Sequence, residues 1–337
     1  MYKRQVNISG GEFLLNGSTI NNITSPFTLG DGDVFTGTLE DGSPFIFSNS
    51  DSLNGVNLIE TSTPTLDTTP QIINTASALR SARAGETLTV QLGGALGDDF
   101  TAVGATLNVE SGSVGSGAEV ANSEVNVSGG TIGNNFGAFG GTVNISGGTV
   151  GSNFGANNGS EVNISGGSVG DGFDANSGSE VNISGGSVGD DFQAEFGSTV
   201  NISEGEVGIF FNAGSGSTVN ISGGTVGSNF NAPSGSTVNI SGGAVGSNFI
   251  AGGGSTVNIS GGTVGSNFFA LGSTVNLFGT EFFLNGSLVD TLTLGEPFTI
   301  FDRGEDVVLS GVFADGTLFD FDLIPVSYTH LTLPTKA

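Results

Sequence analysis

Residues 216–232 read Gly216-Ser-Thr-Val-Asn-Ile-Ser-Gly-Gly-Thr-Val-Gly-Ser-Asn-Phe-Asn-Ala232, and this string decides the fold. Its Val-Asn-Ile core recurs, with the first Val at Val125, Val143, Val162, Val181, Val200, Val219, Val238, Val257 and Val275, always 18 or 19 residues apart. Leu107 and Leu88 extend the series backwards in weaker copies. A fixed period of this length marks a stacked-repeat architecture. Other columns keep the same period: the Val of Val226, the Phe of Phe136, Phe154, Phe173, Phe192, Phe211, Phe230, Phe249 and Phe268, and the Ala two residues after each Phe, as in Ala232.

The columns dictate a geometry. Val219 and Ile221 are two apart, so in a strand they share one face and Asn220 takes the other. Phe230 and Ala232 repeat that relation, and Val226 stands in a short strand between them. Gly223-Gly224 and the Gly-Ser cluster at 214–217 supply corners, where glycine takes φ > 0 at no steric cost. Glycine density and the lack of a 3.6-residue apolar period argue against helices. One unit is thus a coil of three short strands, and it cannot bury its apolar face alone. Coils stacked about 4.8 Å apart bury it by laying Val on Val, Ile on Ile and Phe on Phe. The fold class is all-β: a parallel β-solenoid of about ten coils over 88–280, right-handed by the general chirality of crossovers. Its expected core is Val219, Ile221, Val226, Phe230 and Ala232, with Phe154, Phe173, Phe192, Phe211, Phe249 and Phe268 in the same column.

A larger repeat surrounds the coils. VNISGGEFLLNGS (6–18) matches VNLFGTEFFLNGS (275–287) at an offset of 275 − 6 = 269. GTLEDGSPFIF (37–47) matches GVFADGTLFDF (311–321) at an offset of 311 − 37 = 274. Both copies carry Asn-Gly and Asp-Gly between apolar runs, the short-hairpin signal. They read as antiparallel hairpin caps, which a solenoid needs because an open end exposes unpaired strand edges. Residues 6–50 read as the end module of a preceding array, 51–87 as linker and N-terminal cap with a short helix at 76–84, and 281–324 as the C-terminal cap module.

The two termini read differently. VSYTHLTLPT (326–335) resembles a translated sequencing adapter, and MYKRQ (1–5) resembles its reverse complement in another frame. Segments 1–5 and 325–337 are therefore expected to be foreign to the protein. They hold both Lys, the only His and the only Met.

Charge narrows the function. Six Lys plus Arg against 32 Asp plus Glu give −26. The stretch between the adapter-like ends keeps only Arg80, Arg83 and Arg303, so it carries 3 − 32 = −29. Nucleic-acid binding draws its affinity from Lys and Arg and is excluded. The chain has no cysteine, so no disulfide framework or thiolate metal site exists. No run of about 18 apolar residues is present to span a membrane. A polysaccharide lyase needs a base and a cation facing the uronate, and no basic residue lies between Arg83 and Arg303.

A hydrolase needs only two carboxylates. Asp171, Asp174, Asp190, Asp191 and Glu195 lie on neighbouring coils, but in turn columns where other coils carry Asn or Ser, which is the pattern of solvated turn acids. The same four aspartates are the candidate oxygen ligands for a structural Ca²⁺. The nonapeptide pattern of calcium β-rolls is absent, and no other cofactor is expected. Asn144, Asn163, Asn182, Asn201, Asn220, Asn239 and Asn258 would form an amide ladder that stabilises the stack. The same ladder is a flat polar face suited to a repeating glycan.

The coils, with TLEDGSPFIF (38–47) and VFADGTLFDFDL (312–323), resemble the glycine-rich repeat regions of large exported bacterial proteins of the PEP-CTERM type from marine and planctomycete-like bacteria. That resemblance implies export and attachment to a cell surface or matrix. The expectation is a non-enzymatic extracellular rod, structural or adhesive, with adjacent repeat arrays in the same chain and a surface glycan or matrix polysaccharide as partner. The alternative is a β-helix that binds or hydrolyses glycans.

Overall fold

The structure, a computed structural model, describes residues 7–20, 27–30, 32–48, 54–289, 307–323 and 330–332. Residues 1–5, Arg303 and most of the adapter-like C-terminal segment lie outside the described residues. The described residues hold strands and turns and no helix. The chain is a parallel β-solenoid of about 11 turns with about 19 residues per turn. It divides into two compact units, Met1–Val162 and Asn163–Ala337.

In the first unit the strands at Gln71–Ile73, Thr87–Val90, Thr106–Val109, Glu119–Ile132 and Gly137–Val150 stack in parallel. The register lays Leu88 under Leu107, Leu107 under Val125 and Val125 under Val143. The coils therefore begin at Gln71, inside the stretch read as linker. This overturns the helix expected at 76–84. Ala76 bridges Ala95, and Ser81–Ala82 is a strand paired with Thr101–Val103. The Ser77 N–H donates to the Ala95 carbonyl and the Arg80 carbonyl accepts from the Thr101 N–H. A helix would take both groups away from the next coil, which has nothing else to offer them.

The second unit repeats one coil almost without change. Thr199 pairs Thr218 and Thr218 pairs Thr237, and the three following residues of each coil share that register. Val219, Ile221, Val226, Phe230 and Ala232 are all buried. The Phe rings from Phe173 to Phe249 stack with centroids 4.7–4.8 Å apart and planes within 8° of parallel. That separation is the strand spacing itself, so the rings are stacked because the backbones are. Phe154 and Phe136 stack likewise in the first unit, 5.0 Å apart. Phe268, at the end of its column, is only half-buried and meets Phe249 at 5.0 Å.

Each corner has its own chemistry. The first is Gly-Gly, whose second glycine is left-handed (Gly224, φ 69). A Cβ there would come within 2.8 Å of the Glu204 backbone. In most coils the first strand runs on through this corner with a register shift, as in Thr237–Val245, so the first two sides form one bent strand. The second corner holds a left-handed non-glycine residue, as at Asn153 and Asn229 (φ 58 and 63). Asparagine tolerates that region better than other residues bearing a Cβ. The third is a turn with glycine in its third place and serine in its fourth, as in Pro233-Ser234-Gly235-Ser236.

Both end modules are hairpin sheets with the same details. Asn16-Gly17 (φ 51, 76) and Asn285-Gly286 (φ 49, 75) are two-residue loops with both φ positive, as a type I′ hairpin requires. The Asn16 side chain accepts the Val34 N–H and the Asn285 side chain accepts the Val308 N–H, each at 2.8 Å. The second module is antiparallel throughout. The first also contains one parallel pair, Asn7–Leu15 with Asn54–Glu60, which lays Asn57 on Asn7 and Leu58 on Ile8. Val-Asn-Leu (56–58) is thus a further copy of the Val-Asn-Ile rung. The first module's core is Ile8, Phe13, Phe35, Phe45, Val56 and Leu58.

Candidate functional site

The outward columns of the coils offer a repetitive polar face. The Asn column forms a hydrogen-bonded amide ladder. In the second unit each Nδ2 donates to the Oδ1 one coil earlier, from Asn182 onto Asn163 at 3.0 Å to Asn276 onto Asn258 at 2.7 Å. In the first unit Asn144 donates to Asn126 and Asn126 to Asn108. One N–H and one lone pair per amide are consumed between coils, and Asn126 and Asn201 also donate to Glu124 and Glu180.

Two further polar columns escaped the sequence reading. Ser160, Ser179, Ser198, Ser217, Ser236, Ser255 and Ser273 are buried. Ser198, Ser217, Ser236 and Ser255 each donate the hydroxyl to the carbonyl three residues earlier, at 2.6–2.7 Å. The signal was there: this Ser is constant in Gly-Ser-Thr-Val and Gly-Ser-Glu-Val, while its neighbour varies. The second column is the left-handed Asn corner, where Asn248 donates to Asn229 and Asn267 to Asn248.

The four candidate acids do not converge. Asp171 accepts the Asp190 N–H at 3.0 Å, and Asp190 accepts the Ile209 N–H at 2.9 Å. Each thereby holds the corner of the next coil, as Asn134 does for Ser152 in the first unit. Asp191 is a left-handed corner residue (φ 58). Asp174 stands in an outward column over Gln193, Asn212 and Asn231. Burial, and then the charge of Glu195, raise its carboxyl above the usual range. Asp174 and Glu195 are thus an electrostatically coupled pair on adjacent coils, but neither lines a groove described below. Among the described residues no three His, Cys, Asp or Glu side chains gather as a metal site. Among the described residues no helix is long and apolar enough to cross a membrane.

Two shallow grooves remain. One, of about 290 Å³, is lined by Asn239, Ser241, Asn258, Ser260 and Phe278 of the second unit. It lies at the end of the amide ladder, and Phe278 is 37% exposed. An exposed ring beside a row of amides offers an apolar platform and hydrogen bonds together. The other, of about 180 Å³, lies in the first unit among Asn16, Gly32, Val34, Asn122, Phe139 and Asn158. Asn158 donates there to the Gly32 carbonyl, so this groove is part of the packing of the first module on its coils. No protein-family model, no curated protein and no solved structure matches the chain.

Proposed function

We propose that this chain is a non-enzymatic structural or adhesive rod, exported and extracellular, part of a larger repeat protein. One observation carries the reading: the polar columns are spent on the fold itself. Amides bond the amides of the next coil, the buried serines close the third corner of their own coil, and Asp171 and Asp190 bond the next coil's N–H groups. A catalytic carboxylate must instead face substrate with its proton or lone pair free. The coupled acids Asp174 and Glu195 give the test. The purified chain should release no reducing ends from a panel of polysaccharides. Release that disappears in an Asp174→Asn, Glu195→Gln variant refutes the reading.

Phe278 beside the Asn ladder favours glycan binding as the adhesive activity. Retention on an immobilised polysaccharide should fall at least about tenfold in Phe278→Ala, equivalent to about 1.4 kcal/mol, with an unchanged circular dichroism spectrum. Equal retention of both proteins removes the glycan reading and leaves a spacer. Export is tested by antibody labelling of intact cells that express the complete gene.

A further inference from the structure

The two end modules are copies, but among the described residues only the second has its Val-Asn rung laid on a preceding coil. In the second unit the rung Thr274–Leu277 pairs in parallel with the preceding coil, Asn258 opposite Asn276 and Ile259 opposite Leu277. Three side-chain contacts complete the seat. Asn276 Nδ2 donates to Asn258 Oδ1 at 2.7 Å. The Gly262 N–H donates to Asp315 Oδ2 at 2.9 Å. The Phe321 ring meets Phe268 at 5.5 Å.

In the first module the same positions are Asn7, Asp41 and Phe47, by the offsets of 269 and 274. Asn7 and Asp41 each have their half of the contact and no coil opposite it, while the strand of Phe47, Pro44–Phe47, lies against Thr101–Val103 of the first unit's own coils. Asn7 Oδ1 accepts from Asn57 at 3.1 Å, so the amide ladder runs through it in the usual direction, but among the described residues its own Nδ2 has no acceptor. Asp41 Oδ1 holds Ser43, as Asp315 Oδ1 holds Thr317, while Asp41 Oδ2 has no partner among the described residues. Phe47 is half-buried, whereas Phe321 is buried. The stretch Asn7–Ser9 pairs with 57–59 on one side and with no described strand on the other.

We infer that this face of the first module is a coil-receiving surface. Its occupant is the last coil of another array of the same repeat, entering through Val6 as Thr274 enters Val275. The amide donor meets an Asn Oδ1, and the free carboxylate oxygen meets the N–H of the second glycine of a Gly-Gly corner, as Asp315 meets Gly262. The module is therefore a joint: it seats one array and, through the Asn57 rung, carries the ladder onward. The inference stands whether the rod is adhesive or a plain spacer.

The test is a tandem chain in which residues 6–274 run directly into residues 6–337, so that both segments are the natural ones. The protein has no cysteine, which makes one engineered pair unambiguous. Asn258→Cys in the first copy and Asn7→Cys in the second place two thiols at the register of Asn258 and Asn276. Neighbouring strands lie about 4.8 Å apart, within the 4.4–6.8 Å reach of a disulfide. Under mild oxidation this pair should close at least about tenfold faster than Asn239→Cys with Asn7→Cys, one coil out of register. Adding Asp41→Ala to the second copy should slow closure. Equal rates for the two pairs overturn the inference. The single 337-residue chain with Asn258→Cys and Asn7→Cys should stay monomeric, because its own module already covers its last coil. Disulfide-linked dimers would show that the face receives a second copy, and would also overturn it.

Discussion

Phe211→Ala is the most direct probe of the stack. Phe211 is fully buried, with Phe192 4.7 Å below it and Phe230 4.8 Å above. A buried Phe removes about 150–250 Å² from water, worth about 4–6 kcal/mol at about 25 cal/mol per Å². Alanine keeps part of that, and the stacked coils hold the backbone too rigidly to close the gap, so the loss should be about 4 kcal/mol, inside the usual range for Phe→Ala. At about 2–4 °C per kcal/mol for a chain of this size, Tm should fall by about 8–16 °C. Phe268→Ala is the comparison. Phe268 is half-buried, with one parallel neighbour and a tilted contact to Phe321, so it should cost about half as much. Urea unfolding followed by circular dichroism measures both. Hydrogen exchange should show the Phe211→Ala loss concentrated in the flanking coils, because each repeat contacts only its neighbours. Equal losses for the two variants, or less than about 1 kcal/mol for Phe211→Ala, would refute the view that the ring column carries the coil.

Further outcomes test the corners, the ladder and the acids. Phe210 is left-handed (φ 62), and its ring is 48% exposed, where the preceding coil has Asp191 and the following coil Asn229. Phe210→Asn should therefore stabilise by about 1 kcal/mol, and the new amide would accept from Asn229; a lower urea midpoint contradicts this. Asn220→Ala strands the Asn239 donor and the Asn201 acceptor and should cost about 1–2 kcal/mol, read from the same midpoints. Two of the perturbed aspartates, Asp174 and Asp315, should respond to pH with opposite signs. The Asp174 carboxyl is raised by burial and then by Glu195, so its ionisation costs stability at neutral pH. Asp174→Asn should gain in Tm there, and the gain should vanish as pH falls through the raised pKa. The Asp315 carboxyl is lowered: burial opposes this, but hydrogen bonds from Thr317 and the Gly262 N–H prevail. Asp315→Asn should weaken the second module at neutral pH, with the difference closing as pH falls through the lowered pKa. Parallel pH–Tm profiles for wild type and either variant would contradict that assignment.

Much of this protein was written in its periods. A column of Val, Ile and Phe every 18 or 19 residues admits few folds, because period 2 within a strand and the longer period between coils must both bury the same side chains. The inward and outward faces follow from alternation, and so does the Asn ladder. The hairpin loops follow from Asn-Gly, since few dipeptides accept two positive φ values. Other features needed the folded chain. Ser217 lies next to a polar Thr218 and reads as surface; only the third corner turns its hydroxyl inward onto the Gly214 carbonyl. Asp171 and Asp190 read as clustered acids, yet each points along the stack to a different N–H, a separation set by the rung spacing rather than by sequence distance. Ala76–Ala84 has helix-forming composition, but its carbonyls and N–H groups are claimed by the following coil, a demand that local propensity does not register. The likeness of the two modules is a property of the sequence. That Asp315 holds the N–H of a seated coil while the same oxygen of Asp41 stays open is decided by tertiary structure, because it depends on which backbone lies opposite.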